Sequence, residues 1–222
     1  MGIEKEEFLE GVRNAIPIFI GYFTCSLAFG LLAVSTGVSP WLAILFSATN
    51  LTGAAQFMAI NLLGSGAALG EILVSVLLMN MRYFIMSMAI SRKIGFRGVK
   101  DRFLLAFGIT DEVFSVASLR SGEVSRSFMM GLEGFSWLGW ATGTAAGVTI
   151  GSFLPKSLQD AMSGALFALF AALLVPEIKK SHLPLVLALS AGALNSALYY
   201  LGRVPAGWSI VISMLVITGI GA

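Results

Sequence analysis

The chain has 222 residues, of which 57% are hydrophobic and 12% charged, with a formal net charge of +2; an ordinary soluble domain carries about 25% charged residues. Its mean hydropathy of +0.88 excludes a water-soluble globule and points to a polytopic helical membrane protein, while long rather than alternating apolar runs exclude a transmembrane barrel. A single cysteine, Cys25, and a single histidine, His182, exclude a disulfide framework and a metal site.

Residues 1–14 read as a short acidic amphipathic lead, with Ile3, Phe8 and Val12 suited to the membrane surface beside Lys5 and Arg13. The first ten residues hold four glutamates and the first apolar run has full span length, which argues against a cleaved signal peptide. Span one runs from about Ala15 to Thr36 and contains Pro17, Gly21 and Gly30. A second apolar run, 41–63, follows the turn at Gly37, Ser39 and Pro40.

The centre of that second run is polar, with Asn50, Thr52 and Gln56 around Gly53. In hydrocarbon an unpaired amide costs about 4–8 kcal/mol on alkane scales. Two readings are open. One is a broken or re-entrant helix lining a substrate cavity. The other is a helix contact in which Gly53 and Ala54 allow close approach and Gln56 bonds a neighbour.

Span three, from about Ala67 to Ile90, carries Asn80 and Arg82 near its end. Arg82 reads either as a snorkelling anchor or as a guanidinium facing a cavity, able to hold a carboxylate. A basic loop follows, with Arg92, Lys93, Arg97, Lys100 and Arg102. The segment 103–119 is apolar except for Thr110, Asp111 and Glu112. Its bland account is N-capping of a half-helix; its functional account is a proton or cation site. Spans four to seven are expected at 128–153, 158–175, 183–201 and 206–222.

If 103–119 re-enters, Arg120 and Arg126 join the basic loop on the cytoplasmic side, with Lys179 and Lys180, while Lys156 and Arg203 fall outside. A full crossing would move Lys179 and Lys180 outside, so the charge distribution favours re-entry. The side of the N-terminus stays open at this point. In span four, Gly139, Gly143, Gly147 and Gly151 recur every fourth residue, a small-residue face for close helix packing, more readily within the chain than against a partner. Glu133 sits in the first turns of the same span and reads as an interface residue. There is no P-loop and no catalytic constellation, so no enzyme is expected.

Three motifs in order, Gly53-Ala54-Ala55-Gln56-Phe57, Asn80-Met81-Arg82-Tyr83 and Thr110-Asp111-Glu112, together with Leu154-Pro155, Leu158 and Asp160-Ala161, resemble the AzlC family over essentially the whole chain. The resemblance implies the large subunit of a branched-chain amino acid exporter in a prokaryotic plasma membrane, working with a small AzlD-like membrane subunit. Tyr83 stands where many members have histidine, which weakens any role for a proton-carrying histidine there. The resemblance brings no binding residues with it. From the residues themselves, the substrate-binding candidates are Asn50, Thr52, Gly53, Gln56, Asn80 and Arg82, and the proton-coupling candidates are Asp111 and Glu112.

The expectation is therefore one integral membrane domain over 1–222. It is an all-α bundle of six to eight membrane segments, one or two of them broken or re-entrant. It takes no cofactor and binds an amino acid, lipid and the small subunit, and no nucleic acid. The rival functions are a channel or a permease for another solute, or a non-transporting scaffold subunit.

Overall fold

The computed structural model describes residues 2–95, 98–151, 153, 155, 175, 178, 179, 181–201, 204 and 206–221. Among these the helices are α1 (Gly2–Ser35), α2 (Pro40–Thr49), α3 (Gly53–Gly64), α4 (Leu69–Ser91), α5 (Val99–Phe107), α6 (Asp111–Leu119), α7 (Arg126–Gly151), α8 (Leu183–Tyr200) and α9 (Ala206–Gly221). The bundle is all-α, as expected. The fifth expected span, 158–175, lies outside the described residues apart from Val175, as do Arg97, Lys156, Lys180 and Arg203.

The spine of the molecule is the pairing of α1 with α7. A Cβ added at Gly139 would come 2.9 Å from Phe19 O, and one at Gly151 3.0 Å from Leu31 Cδ2. Added Cβ atoms at Gly143 and Gly147 would collide with the backbone of Phe23 and Leu27. The glycine stripe thus faces α1, and Gly30 returns the contact, 2.5 Å from Thr144 O by the same measure. Positions rise together along the two helices, so α1 and α7 run parallel. In hydrocarbon, where apolar side chains gain nothing by leaving lipid, this backbone-to-backbone fit is what holds two helices together.

Residues 2–14 are the first turns of the same 34-residue helix, not a separate surface segment. Gly11 lets them pack on the backbone of Phe128 and Leu132. At about 1.5 Å per residue, α1 is about 50 Å long and outreaches a hydrocarbon layer of about 30 Å.

The second apolar run is broken at Asn50–Thr52. Ser39 caps the start of α2, accepting from Leu42 N, and Pro40 occupies its first turn. The chain then turns back. Ser47 of α2 bonds Gln56 of α3, and at the far end of α3 a Cβ on Gly64 would lie 2.9 Å from Thr36 Cγ2. Thr36 is where α1 ends, so α3 returns to the end of the bundle from which α2 set out. The run 41–63 is a re-entrant hairpin.

The segment 103–119 does the same from the opposite end. Arg126 at the start of α7 pairs with Asp101 at the start of α5 at 3.0 Å, and deeper in, Gly108 lies on Glu133. Thr110 caps α6, accepting from Val113 N. At the other end of α6, Lys93 Nζ donates to Ser118 O at 2.6 Å and Arg120 O at 2.9 Å, and Arg120 pairs with Glu10 of α1 at 2.9 Å. Both ends of this hairpin therefore sit beside the N-terminus of α1.

That end of the bundle gathers Lys5, Arg13, Arg92, Lys93, Lys100, Arg102, Arg120 and Arg126, whereas the turns at 36–39 and 65–68 contain no charged residue. The positive-inside rule makes the basic end cytoplasmic and places the N-terminus inside. Helices α1, α4 and α8 are long and apolar enough to cross, α7 lies along α1 through its length, and the two hairpins enter from opposite ends. Each half-helix of nine to twelve residues is about 14–18 Å long, enough to reach mid-membrane. Each hairpin has its own apolar core, one around Leu105, Val113 and Leu132 and the other around Phe29, Phe57 and Trp140, with Tyr22 packed against both.

Candidate functional site

The tips of the two hairpins meet at one cavity. It has a volume of about 170 Å³, and its lining includes Tyr22 and Cys25 of α1, Gly53 of α3, Arg82 of α4, Asp111 of α6 and Trp140 of α7, together with Ile18, Leu51, Tyr83, Thr110 and Glu112. Pockets for drug-sized ligands run about 300–1,000 Å³, so this one suits a smaller solute.

Local sequence explains why the tips stop where they do. Asn50 is extended and closes α2, and its Oδ1 accepts from Thr52 N at 3.0 Å and from Thr52 Oγ1. Thr52 spends its hydroxyl on Asn50 and makes no cap bond to α3. The first amides of α3 are thereby left without a side-chain cap at the cavity. Gly53 is required because the Trp140 ring lies on it; a Cβ there would come 2.9 Å from Trp140 Cζ3 and closer still to Cη2.

Gln56 stands behind this wall, fully buried. Its Oε1 accepts from Ser47 Oγ and Trp140 Nε1, each at 3.1 Å, and its Nε2 donates to Phe46 O at 3.3 Å and to Asn50 O. Thr144 extends the network to Ser47 at 2.8 Å, and Trp137 Nε1 donates to Ala48 O in the last turn of α2 at 2.9 Å. The polar groups that made the second run conspicuous are thus satisfied mostly within the hairpin itself, with Trp140 of α7 adding one bond to Gln56.

The second tip carries the charge. Arg82 Nη2 lies 3.0 Å from Asp111 Oδ2, both side chains part-exposed, and 3.3 Å from the Tyr83 hydroxyl. Arg82 Nε is buried and has no partner among the described residues. The Tyr22 hydroxyl lies 2.5 Å from Glu112 Oε2 and 2.6 Å from Thr110 Oγ1. An ionised carboxylate only accepts, so the phenolic proton serves Glu112 and Thr110 donates to the phenol oxygen. Both half-helices point their N-termini at the cavity, each worth roughly half a positive charge. With Arg82 against Asp111 and Glu112, the cavity is close to neutral yet divided into positive and negative faces.

Of the residues singled out from sequence, Gly53, Arg82, Asp111 and Glu112 line the cavity, Asn50 and Thr52 shape the tip, and Gln56 sits behind it. Asn80 is not among the lining residues, and its Oδ1 is buried without a partner among the described residues. Sequence reading missed Tyr22, Cys25 and Trp140. Trp140 had a signal, since it falls inside the glycine stripe on the helix that packs most closely.

A family model described as AzlC protein matches residues 17–154, which take in both hairpins and the helices around them. An uncharacterized membrane protein of Archaeoglobus fulgidus is 37% identical over 204 residues, 90% of this chain and 88% of the relative. Inner membrane protein YgaZ of Escherichia coli is 32% identical over 195 residues, 84% of this chain and 80% of the relative. The branched-chain amino acid transport protein AzlC of Bacillus subtilis is 28% identical over 178 residues, 78% of this chain and 68% of the relative. No solved structure matches the chain.

Proposed function

The chain belongs to the AzlC family of membrane transport proteins, and from that premise we propose that it exports branched-chain or related apolar amino acids across the plasma membrane, coupled to the proton gradient. The observation that carries this reading is the cavity between the hairpin tips, with an Arg82–Asp111 pair on one wall and apolar side chains on another.

An amino acid presents a carboxylate, an ammonium and an apolar side chain, and the cavity offers a place for each. The carboxylate takes Arg82, whose planar fork holds two oxygens and whose Nε is unoccupied among the described residues. The uncapped first turn of α3 adds positive potential beside it. The ammonium takes Asp111 as that carboxylate leaves Arg82, with Glu112 alongside; these two carboxylates are the candidates for exchanging a proton with the cavity. The side chain lies against Ile18, Leu51 and Trp140. Gln56 and Asn50 act one step back, holding the shape of the tip. A small AzlD-like membrane subunit is the partner in this reading.

The test is efflux of labelled leucine, valine, isoleucine and methionine from vesicles holding this chain and its small partner, with and without a proton gradient. Saturable efflux that a gradient accelerates supports the exporter. Non-saturable leak of unrelated solutes at the same rate would make the cavity a channel.

A further inference from the structure

Glu133 is a carboxylate that this transport scheme does not use, and it is placed unlike any other acid described in the chain. It is 6% exposed, about two turns into the packed helix α7, and its Oε1 has no hydrogen-bond partner among the described residues. The second hairpin rests directly on it: a Cβ added at Gly108 would come 2.5 Å from Glu133 Cβ, Cγ and Cδ. Beside it is a cavity of about 200 Å³ lined by Leu104, Leu105, Phe107, Met130 and Trp137, with no other titratable side chain.

We propose that Glu133 is a proton site that latches the α5–α6 hairpin, and that this hairpin is the cytoplasmic gate of the transport cavity. The proposal rests on the reading of that cavity as a transport site. The charged groups of the neighbouring elements are engaged elsewhere. Asp101 of α5 pairs with Arg126, Asp111 of α6 with Arg82, Glu112 with Tyr22, and Glu10 of α1 with Arg120. Lys100 and Arg102 stand at the first turns of α5 and do not line the Glu133 cavity. A charged Glu133 therefore meets no counter-ion with the hairpin seated. It releases its proton only when the hairpin lifts and water reaches the carboxylate, and it must recover a proton from that water before the hairpin seats again.

Cavities flank α5 of this hairpin on both sides. A second cavity, of about 250 Å³, lies on the α4 side of α5, with Leu105 in the wall of both. The first hairpin is held against α7 by the Trp140–Gln56, Thr144–Ser47 and Trp137–Ala48 bonds, none of which involves a carboxylate, whereas Asp101, Asp111 and Glu112 enter the contacts that hold the second.

The experiment is amide hydrogen exchange across residues 99–119, corrected for intrinsic rates, in the full chain with its partner between about pH 6 and pH 8, where one proton per opening gives a slope of at most about tenfold per pH unit. Wild type should exchange faster as pH rises, and Glu133→Gln should stay protected throughout. In vesicles Glu133→Gln should slow leucine counterflow as well as accumulation driven by a proton gradient, because a hairpin that stays seated is a closed gate. A Glu133→Gln hairpin with the wild-type pH slope overturns the proposal. So does a wild-type hairpin whose exchange ignores pH, which needs no variant to fold. Absence of leucine counterflow in wild type would overturn the transport reading, and the gate with it, by a separate measurement.

Discussion

Arg82 of α4 and Asp111 in the first turn of α6 form an ion pair at 3.0 Å, joining a crossing helix to the tip of the cytoplasmic hairpin. Both side chains are more than a third exposed, and both line the cavity between the hairpin tips. The pair's importance lies in being exchangeable. A solute carrying both a carboxylate and an ammonium can replace each partner without leaving a charge bare, and that makes the pair a recognition element.

Arg82→Ala is accordingly expected to spare the fold and weaken substrate affinity. Losing a hydrogen bond to a charged group costs about 1.5–3 kcal/mol, or roughly 10- to 150-fold in affinity. Arg82→Lys should rescue little of this, because a point charge does not replace a fork. Concentration dependence of leucine counterflow reads the effect; a lysine variant with wild-type affinity would reduce Arg82 to an anchor.

Gln56 should behave in the opposite way. Its amide joins both arms of the first hairpin to Trp140, and it does not line the cavity. Each buried partner left unsatisfied by Gln56→Ala costs about 1–3 kcal/mol. The melting temperature of the purified chain should fall, and the surviving protein should bind leucine with near-normal affinity. Unchanged melting with weakened affinity would put Gln56 in contact with substrate.

Gly143→Leu tests the spine. Even a Cβ there collides with Phe23 O and Ser26 Oγ of α1, and backbone cannot rotate aside. Overpacking of this kind costs about 1–3 kcal/mol or more, so the variant should disappear from the membrane fraction. Gly70→Leu, on α4 where nothing lies within 4 Å, should accumulate normally. An abundant, active Gly143→Leu protein would contradict the α1–α7 packing.

How much of this could be read from the chain depends on what signal each part leaves. The two breaks were legible, because Asn50, Thr52 and Gln56 in one run and Thr110, Asp111 and Glu112 in the other cannot sit unpaired in hydrocarbon. Re-entry of 103–119 was legible from the basic residues on either side of it. Re-entry of 41–63 was not, since the turns at 36–39 and 65–68 carry no charge for the positive-inside rule to weigh. Residue type said that Gln56 needs partners but not that Ser47 and Trp140 supply them. The lead 1–14 has an amphipathic pattern that fits a membrane surface, and Gly11, whose backbone fit to α7 decides the matter, leaves no periodic trace. Tyr22 and Trp140 were overlooked because an aromatic residue in an apolar span looks the same whether it faces lipid or a cavity.

The central claim is that substrate occupies the space between the two hairpin tips, and Cys25 offers the most direct measurement. It is the only cysteine in the chain and it lines that cavity, so its modification by a small thiol reagent, read by mass on the peptide that contains it, needs no engineered variant. Leucine should slow the labelling saturably, with the same half-saturating concentration as counterflow, and Arg82→Ala should lose the protection. Labelling of Cys25 that proceeds at one rate with and without leucine, in vesicles whose counterflow saturates, would place the substrate elsewhere.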